Sequence, residues 1–150
     1  MLRALSVFLM FLFASACEKK SQSLEDFQTT PLTLASGKEI RVEVLSKKQD
    51  MMRGMMFRDS LAPDRGMLFV HGSPGLYPYW MYQVRIPLDI VWLDMNRQVV
   101  EISSNTPPCK AASAKDCENY GGRKMAVYVL ELPGGSSEKF GIRVGDRVTF

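Results

Sequence analysis

Apolar and polar positions alternate along much of this chain, with the period of two that is typical of half-buried β-strands. The alternation is clearest over residues 40–44 and 125–129, and in the second segment it extends to Glu131. Shorter apolar runs, each bounded by Gly, Pro, Asn or Asp, predict further strands at 66–70, 90–93, 99–102 and 147–150. Asn96 lies between two of these runs and predicts a hairpin there, although Arg97 stands where glycine is usual.

Two short helices interrupt the predicted strands. Ser46 and Gln49 form a capping-box pattern, which predicts a helix near 47–56 that Gly54 weakens. A second helix is predicted at 136–140, between a glycine pair and another glycine. The expected fold class is therefore mostly β: a single compact β-sandwich or barrel-like domain with one or two short helices.

The N-terminus has the pattern of a secretory signal peptide. Arg3 precedes about ten apolar residues and then the small residues Ala14, Ser15 and Ala16. The apolar run is shorter than the roughly 20 residues that a membrane-spanning helix needs. We therefore expect residues 1–16 to be removed on export.

The residues around Cys17 resemble a bacterial lipobox, which implies a diacylglycerol thioether on that cysteine. Ordinary cleavage after Ala16 is the alternative, since it would also make Cys17 the first residue. Residues 17–31 are expected to form a polar tether, and residues 32–150 the globular domain. Because Glu18 is not the aspartate that retains lipoproteins at the inner membrane in enteric-type bacteria, we expect a periplasmic location anchored to the outer membrane.

Charge argues against a nucleic-acid-binding role. The whole chain carries a net charge of +3, and it contains no long block of like charges. The expected partners are instead the membrane, through lipidated Cys17, and an unknown small molecule, glycan or envelope protein. No cofactor is expected.

Cys109 and Cys117 lie in a stretch rich in Pro, Ser, Ala and Lys. In an exported protein such a pair is expected to form a disulfide. A redox or metal-binding pair is the alternative, although the spacing matches neither C-x-x-C nor a zinc pattern.

Five short motifs occur in order along the chain: 53–58 (RGMMFR), 66–69 (GMLF), 80–81 (WM), 86–90 (IPLDI) and 129–132 (VLEL). Together they resemble the domain of unknown function 192 family over about residues 32–150. The resemblance implies a compact β-rich fold that is often exported, and it brings no established reaction, cofactor or substrate. Family members also show a Pro-Cys and a later Cys before Tyr, which Cys109, Cys117 and Tyr120 match. They differ from this chain after Trp80-Met81, where a polar Lys-Asn-Thr type of triplet is usual and residues 82–84 read YQV.

Two arginines and an aspartate inside these motifs are candidate ligand-binding residues. Arg53 and Asp89 would form a buried pair that either orients a ligand or locks helix to sheet, and we favour the structural role. Arg58 has the same two possibilities, with Asp64 or Asp94 as its partner.

Four aromatic rings lie within residues 77–82, next to prolines and a glycine. Tyr79, Trp80 and Tyr82 are candidates for a stacking surface that binds a small molecule or a glycan. If Trp80 and Met81 pack inward, Tyr79 and Tyr82 are expected to face solvent.

Methionines near His71 suggest copper, because thioethers are soft ligands for Cu(I). The alternative metal set is Met51, Met55, Met56 and His71. Packing is favoured, since methionines four residues apart on a helix can fill gaps in a core.

Three functions therefore remain open. We favour a non-catalytic envelope-associated binding module over a periplasmic copper-binding protein and over a hydrolase-like enzyme of unrecognised type. A hydrolase would use carboxylate chemistry at Asp89, Asp94 or Glu131, because His71 is the sole histidine and no known catalytic motif surrounds it.

Overall fold

The computed structural model describes residues 29–150. The predicted signal peptide, Cys17 and nearly all of the predicted tether lie outside these residues. No helix within 29–150 has both the length and the apolar character needed to cross a membrane. The strands are β1 (Thr29–Thr33), β2 (Glu39–Leu45), β3 (Arg65–Gly75), β4 (Tyr79–Trp80), β5 (Leu88–Leu93), β6 (Val99–Thr106), β7 (Asn119–Tyr120) and β8 (Ala126–Pro133).

Six strands form one open sheet in the order β1-β2-β3-β8-β5-β6, and β4 pairs with β7 in a small separate sheet. Within the large sheet β2 and β3 are parallel, and the other neighbours are antiparallel. The predicted mostly β class with short helices is confirmed. The predicted strand at 147–150 is wrong: among residues 29–150 this segment makes only two isolated bridges, Thr33 with Thr149 and Gln98 with Arg147.

Alternation along the strands gives the sheet a hydrophobic core on each face. One core, which we call the α2-face core, contains Leu68, Val91, Leu130 and Leu132 and packs against Phe140 of the second helix. The other, the α1-face core, contains side chains that alternate with those of the first: Met67, Phe69, Ile90, Trp92 and Val129, together with Met55 and Met81. The sheet is therefore covered on both sides.

The connection between the parallel strands β2 and β3 carries the helix α1 (Lys48–Arg53). The capping box predicted for it is absent, since Lys47 is the N-cap and makes no side-chain cap hydrogen bond. The helix also ends earlier than predicted, because Gly54 adopts a φ of 43°. A Cβ at Gly54 would lie 3.1 Å from the ring of Phe69, so this glycine lets the chain pass close over the sheet.

The helix α2 (Ser136–Phe140) forms where the sequence predicts it, and Asp89 explains its position. The Asp89 side chain is fully buried, and its carboxylate accepts hydrogen bonds from the backbone N–H groups of Asn105, Gly135 and Ser137 at 2.6, 2.9 and 2.5 Å. Asp89 pairs in register with Leu132 of the α2-face core, whereas Arg53 lies at the end of α1. The predicted pairing of Arg53 with Asp89 is therefore wrong, and Asp89 has a structural role.

The hairpin predicted at Asn96 joins β5 to β6. One carboxylate oxygen of Asp94 accepts the backbone N–H groups of Asn96 and Gln98 at 2.8 and 2.9 Å, and Arg97 takes the positive φ of 63°. Asp94 thus stabilises a turn, and it does not pair with Arg58.

Candidate functional site

A row of three paired residues crosses the centre of the sheet. Glu43 of β2 pairs in register with Met67 of β3, and Met67 pairs in register with Glu131 of β8. Directly paired residues point to the same face of a sheet, and Met67 belongs to the α1-face core. Glu43 and Glu131 therefore lie on this face, on either side of the buried Met67.

Glu43 is neutralised by Arg58. The two nitrogens Nη1 and Nη2 of the guanidinium donate to the two carboxylate oxygens, each at 2.6 Å, in a bidentate pair. Both side chains are largely buried, at 13% exposure for Arg58 and 8% for Glu43. Neither Asp64 nor Asp94, the partners predicted for Arg58, takes part in this pair.

Glu131 has no comparable partner. Its side chain is buried, and its Oε2 atom accepts and donates no hydrogen bond within the part of the chain that the structure describes. Burial raises the pKa of Glu131 to about 8, and the positive charge of Arg58 opposes this rise. The carboxyl group is therefore mainly protonated near neutral pH, and it can donate a hydrogen bond.

Glu131 lines an open cavity of about 580 Å³ on the α1 face. One wall comes from α1 and the residues after it, and it consists of Met51, Met52, Met55 and Met56. Aromatic side chains form much of the rest: Phe69, Tyr79, Trp80 and Tyr82. The cavity has the volume and apolar lining that are typical of sites for small molecules.

Two of the polar side chains that line this cavity bond to each other. The hydroxyl of Tyr79 lies 3.1 Å from Nε2 of His71 and shares a hydrogen bond with it. The His71 ring also stacks on Tyr77, with centroids 3.6 Å apart. Burial lowers the pKa of His71, and burial together with the negative charge of Glu131 raises the pKa of Tyr79. Both side chains are thus uncharged at neutral pH.

The segment that contains the disulfide supports residues 79–82, which we call the aromatic wall of the cavity. Cys109 and Cys117 form a disulfide bond, and the backbone N–H of Cys109 donates to the carbonyl of Met81 at 3.1 Å. Just beyond it, Trp80 pairs with Asn119 in the small sheet. These contacts fix the position of residues 79–82 over the sheet.

Close backbone packing adds to this restraint. The indole nitrogen of Trp92 donates to the carbonyl of Tyr77 at 2.7 Å. Gly121 lies against the same indole ring, and a Cβ there would come within 2.3 Å of it. The wall is therefore built on the rigid core of the sheet.

The cavity brings together most of the residues that the sequence identified as candidates. It is lined by Arg53, Tyr79, Trp80 and Tyr82, and also by the alternative metal set of Met51, Met55, Met56 and His71. Arg58 instead lies with Glu43 at a smaller adjoining cavity of about 80 Å³. Asp89 instead stabilises α2 through its hydrogen bonds with backbone N–H groups.

The predicted orientation of the aromatic residues is wrong for Tyr79. Its ring packs against the α1-face core, in edge contact with Phe69 and Trp92 at centroid distances of 5.2 and 6.0 Å. Met81 is buried, as expected, whereas Trp80 is only half-buried. The alternation of inward and outward side chains does not predict these orientations, because β4 is only two residues long.

The sequence proposed Glu131 only as a possible hydrolase carboxylate. Its signal was nevertheless present, since a glutamate at an inward position of an apolar strand is unusual without a partner. For a metal, no group of three or more His, Cys, Asp or Glu side chains within residues 29–150 has a suitable arrangement.

Comparison with known proteins gives the following relationships. The DUF192 family model, described as an uncharacterized ACR, matches residues 31–150. A UPF0127 protein of Pyrococcus furiosus is 28% identical over 124 residues, which is 78% of this chain and 94% of that protein.

Two solved structures are also similar. A protein of unknown function from Novosphingobium aromaticivorans superimposes with a TM-score of 0.75 at 30% identity, over 85% of this chain and 89% of that one. A protein of Sinorhizobium meliloti, named as a candidate transcription regulator, superimposes with a TM-score of 0.71 at 29% identity, over 82% of this chain and 94% of that one.

Proposed function

Because this chain belongs to the DUF192 family, which is described as uncharacterized, we propose its function from the site itself. The domain is a non-catalytic binding module that takes a small, largely apolar molecule into the cavity beside Glu131. The observation that supports this most directly is that Glu131, whose buried carboxyl group has an oxygen without a partner, lines a cavity of about 580 Å³. Ligand sites are typically apolar cavities of this size with few polar groups.

The hydrogen bonds of the candidate acid and base groups agree with a binding function rather than a catalytic one. Nε2 of His71 is occupied by the hydroxyl of Tyr79. The carboxylates of Asp89 and Asp94 accept backbone N–H groups, so neither is free to act on a substrate. Glu131 lines the cavity without a base or nucleophile bonded to it, and this arrangement favours recognition over acid–base chemistry.

The N-terminal sequence supports a location for this module. We propose that the chain is exported, that Cys17 is lipidated and that the domain lies on the periplasmic side of the envelope at the outer membrane. Residues 17–28, which precede β1, would then allow the domain to stand up to about 40 Å from the membrane when fully extended. Intact mass of the processed protein tests this, since wild-type protein should carry an acyl increment that Cys17→Ser lacks.

Titration with N-phenyl-1-naphthylamine, a neutral apolar fluorophore, tests the binding function. The chain should carry Cys17→Ser, so that no attached acyl group competes with the probe. We expect saturable binding that is at least tenfold weaker in Met56→Glu, because that substitution places a charge on the cavity wall. Met95→Glu is the matched control, since Met95 is 68% exposed and lies outside the cavity.

Two results would count against the module. Absence of saturable binding to the wild type would remove the proposed function, and equal affinities of Met56→Glu and Met95→Glu would place the probe elsewhere. A pull-down of glycans or envelope proteins that survives Met56→Glu would move recognition to another surface.

Copper binding is the second candidate, because Met51, Met55, Met56 and His71 line the same cavity. Leucine preserves the packing of methionine but removes the thioether. A stoichiometric Cu(I) site that is lost in Met51→Leu/Met56→Leu, while fluorophore binding remains, would favour copper over the small-molecule function.

A further inference from the structure

We infer that the cavity recognises an uncharged, largely apolar molecule that presents one oxygen acceptor, such as a ketone, ester or ether, and that Glu131 meets this oxygen as a hydrogen-bond donor. This inference rests on the proposed binding function, and it adds the chemical class of the ligand. It also makes Glu131 a specificity-determining residue.

Glu131 lies among apolar neighbours in the sheet. Its backbone pairs in register with Met67 on one side and Ile90 on the other, both buried, so the neighbouring strands offer no side-chain partner. Its Oε2 atom has no hydrogen-bond partner within the described residues, although the side chain borders a cavity. A buried polar atom without a partner is costly, and a ligand that supplies one would be favoured for that reason.

The surrounding charges argue against a cationic ligand. Lys48 and Arg53 line the cavity from the α1 side. On the other side of Glu131, Arg58 is held by Glu43 in a bidentate pair. Because the Glu43 carboxylate offsets Arg58, a bound ammonium group would face two further positive side chains, Lys48 and Arg53, with Glu131 as the carboxyl group to offset them.

The remaining titratable groups that face Glu131 do not change this balance. His71 of β3 and Tyr79 of β4 share their hydrogen bond, and Tyr77 stacks on the histidine. Burial lowers the pKa of His71, raises that of Tyr79 and raises that of Glu131 to about 8, so all three are uncharged near neutral pH. A protonated carboxyl group has one O–H to donate, and an oxygen acceptor is its natural complement.

A pair of matched probes tests the inference. The first is 6-propionyl-2-(dimethylamino)naphthalene, which is neutral and has a ketone oxygen, and the second is the propyl analogue, which lacks that oxygen. The wild type should prefer the ketone by about tenfold near pH 6.5, which corresponds to one hydrogen bond. The preference should disappear near pH 9, because Glu131 is then mainly ionised and can no longer donate.

Substitutions identify the donor. Glu131→Gln keeps an N–H donor that does not titrate, so it should retain a preference for the ketone at both pH values. Glu131→Leu should bind both probes equally. Glu39→Gln, an exposed change on β2, should behave as the wild type.

The outcomes separate this inference from the proposed function. If the wild type binds both probes equally near pH 6.5, the inference about ligand class is wrong and the binding module stands. If a trimethylammonium analogue binds more tightly than the ketone and gains affinity as the pH rises, Glu131 acts as a carboxylate for cations, and the inference is overturned. If none of these probes binds, both the inference and the proposed function fail.

Discussion

Glu43 and Glu131 lie in register on either side of Met67, on one face of the sheet, and only the first of the two is paired with an arginine. The bidentate bond from Arg58 keeps Glu43 compensated at low exposure. Glu131 instead has an unpartnered oxygen and a pKa raised to about 8 by burial. Two chemically identical side chains thus differ in their hydrogen-bond partners, and the unpartnered oxygen supports the recognition role proposed for Glu131.

Stability should decrease as the pH rises through the titration of Glu131. In the unfolded chain its pKa is near 4.5, and in the folded protein it is about 8. Between these values the folded state binds more protons than the unfolded state, so the free energy of unfolding should decrease by up to about 1.4 kcal/mol per pH unit. Well above pH 8, where the carboxyl group is ionised in both states, the contribution is constant.

Urea unfolding from about pH 5 to pH 9 measures this slope. Glu131→Gln cannot titrate, so its free energy of unfolding should fall less steeply than that of the wild type over the same interval. Glu39→Gln is the control and should keep the wild-type slope, since Glu39 is exposed. Parallel curves for wild type and Glu131→Gln would show that Glu131 is ionised in the folded protein throughout.

Removal of Arg58 should destabilise the domain strongly, because it leaves Glu43 buried without its partner. We expect Arg58→Met to lower the free energy of unfolding by about 2–4 kcal/mol. The matched change Arg85→Met also breaks an ion pair, with Asp59, but those side chains are 53% and 80% exposed. That change should cost less than about 1 kcal/mol.

The double variant Glu43→Gln/Arg58→Met distinguishes a buried charge from lost packing. It removes the uncompensated carboxylate and should recover part of the stability lost in Arg58→Met. Equal losses for Arg58→Met and Arg85→Met would contradict the role given to the Glu43–Arg58 pair.

The sequence predicts most of the sheet because its strands alternate over several residues. Helix α2 was also predicted correctly, since glycines mark both of its ends. Strand β1, which contains Pro31, and the two-residue strands β4 and β7 gave no usable periodicity. The parallel pairing of β2 with β3 depends on a crossover whose geometry has no local sequence signal.

The site was less predictable than the fold, because it depends on contacts between distant segments. The partner of Arg58 is Glu43, 15 residues earlier on β2, rather than the predicted Asp64 or Asp94. Asp89 bonds to groups up to 48 residues away. The composition of the cavity wall was anticipated from local clusters of methionine and aromatic residues, whereas its carboxyl group required the register of β3 with β8.

Asp89→Asn should destabilise the fold without any ligand being present. The aspartate accepts three backbone N–H groups while fully buried, and an asparagine amide would direct its own N–H₂ at some of them. We expect a loss of about 2–4 kcal/mol by urea unfolding. Asp94→Asn, which affects two such bonds at a half-buried turn, should lose only about 1 kcal/mol. A near-neutral effect of Asp89→Asn would reopen the question of a binding role for this residue.

The disulfide should contribute both to global stability and to the shape of the cavity. Cys109 and Cys117 are separated by eight positions, and closing so short a loop contributes roughly 2–3 kcal/mol in the chain-entropy model. The bridged segment also donates a backbone hydrogen bond to Met81 and leads into β7, which pairs with β4. Cys109→Ser/Cys117→Ser should therefore unfold at lower urea concentration and bind N-phenyl-1-naphthylamine several-fold more weakly.

The two effects of the disulfide can be separated. Binding is measured far below the urea midpoint of the variant, where nearly all of the protein is folded, so that weaker binding reflects the cavity itself. The pH dependence of stability should be unchanged in this variant, since Glu131 belongs to β8 of the large sheet, whereas the disulfide supports β4. Unchanged affinity in a destabilised Cys109→Ser/Cys117→Ser variant would mean that the aromatic wall is held without the disulfide, by the Trp92 hydrogen bond, the Gly121 contact and the pairing of β4 with β7.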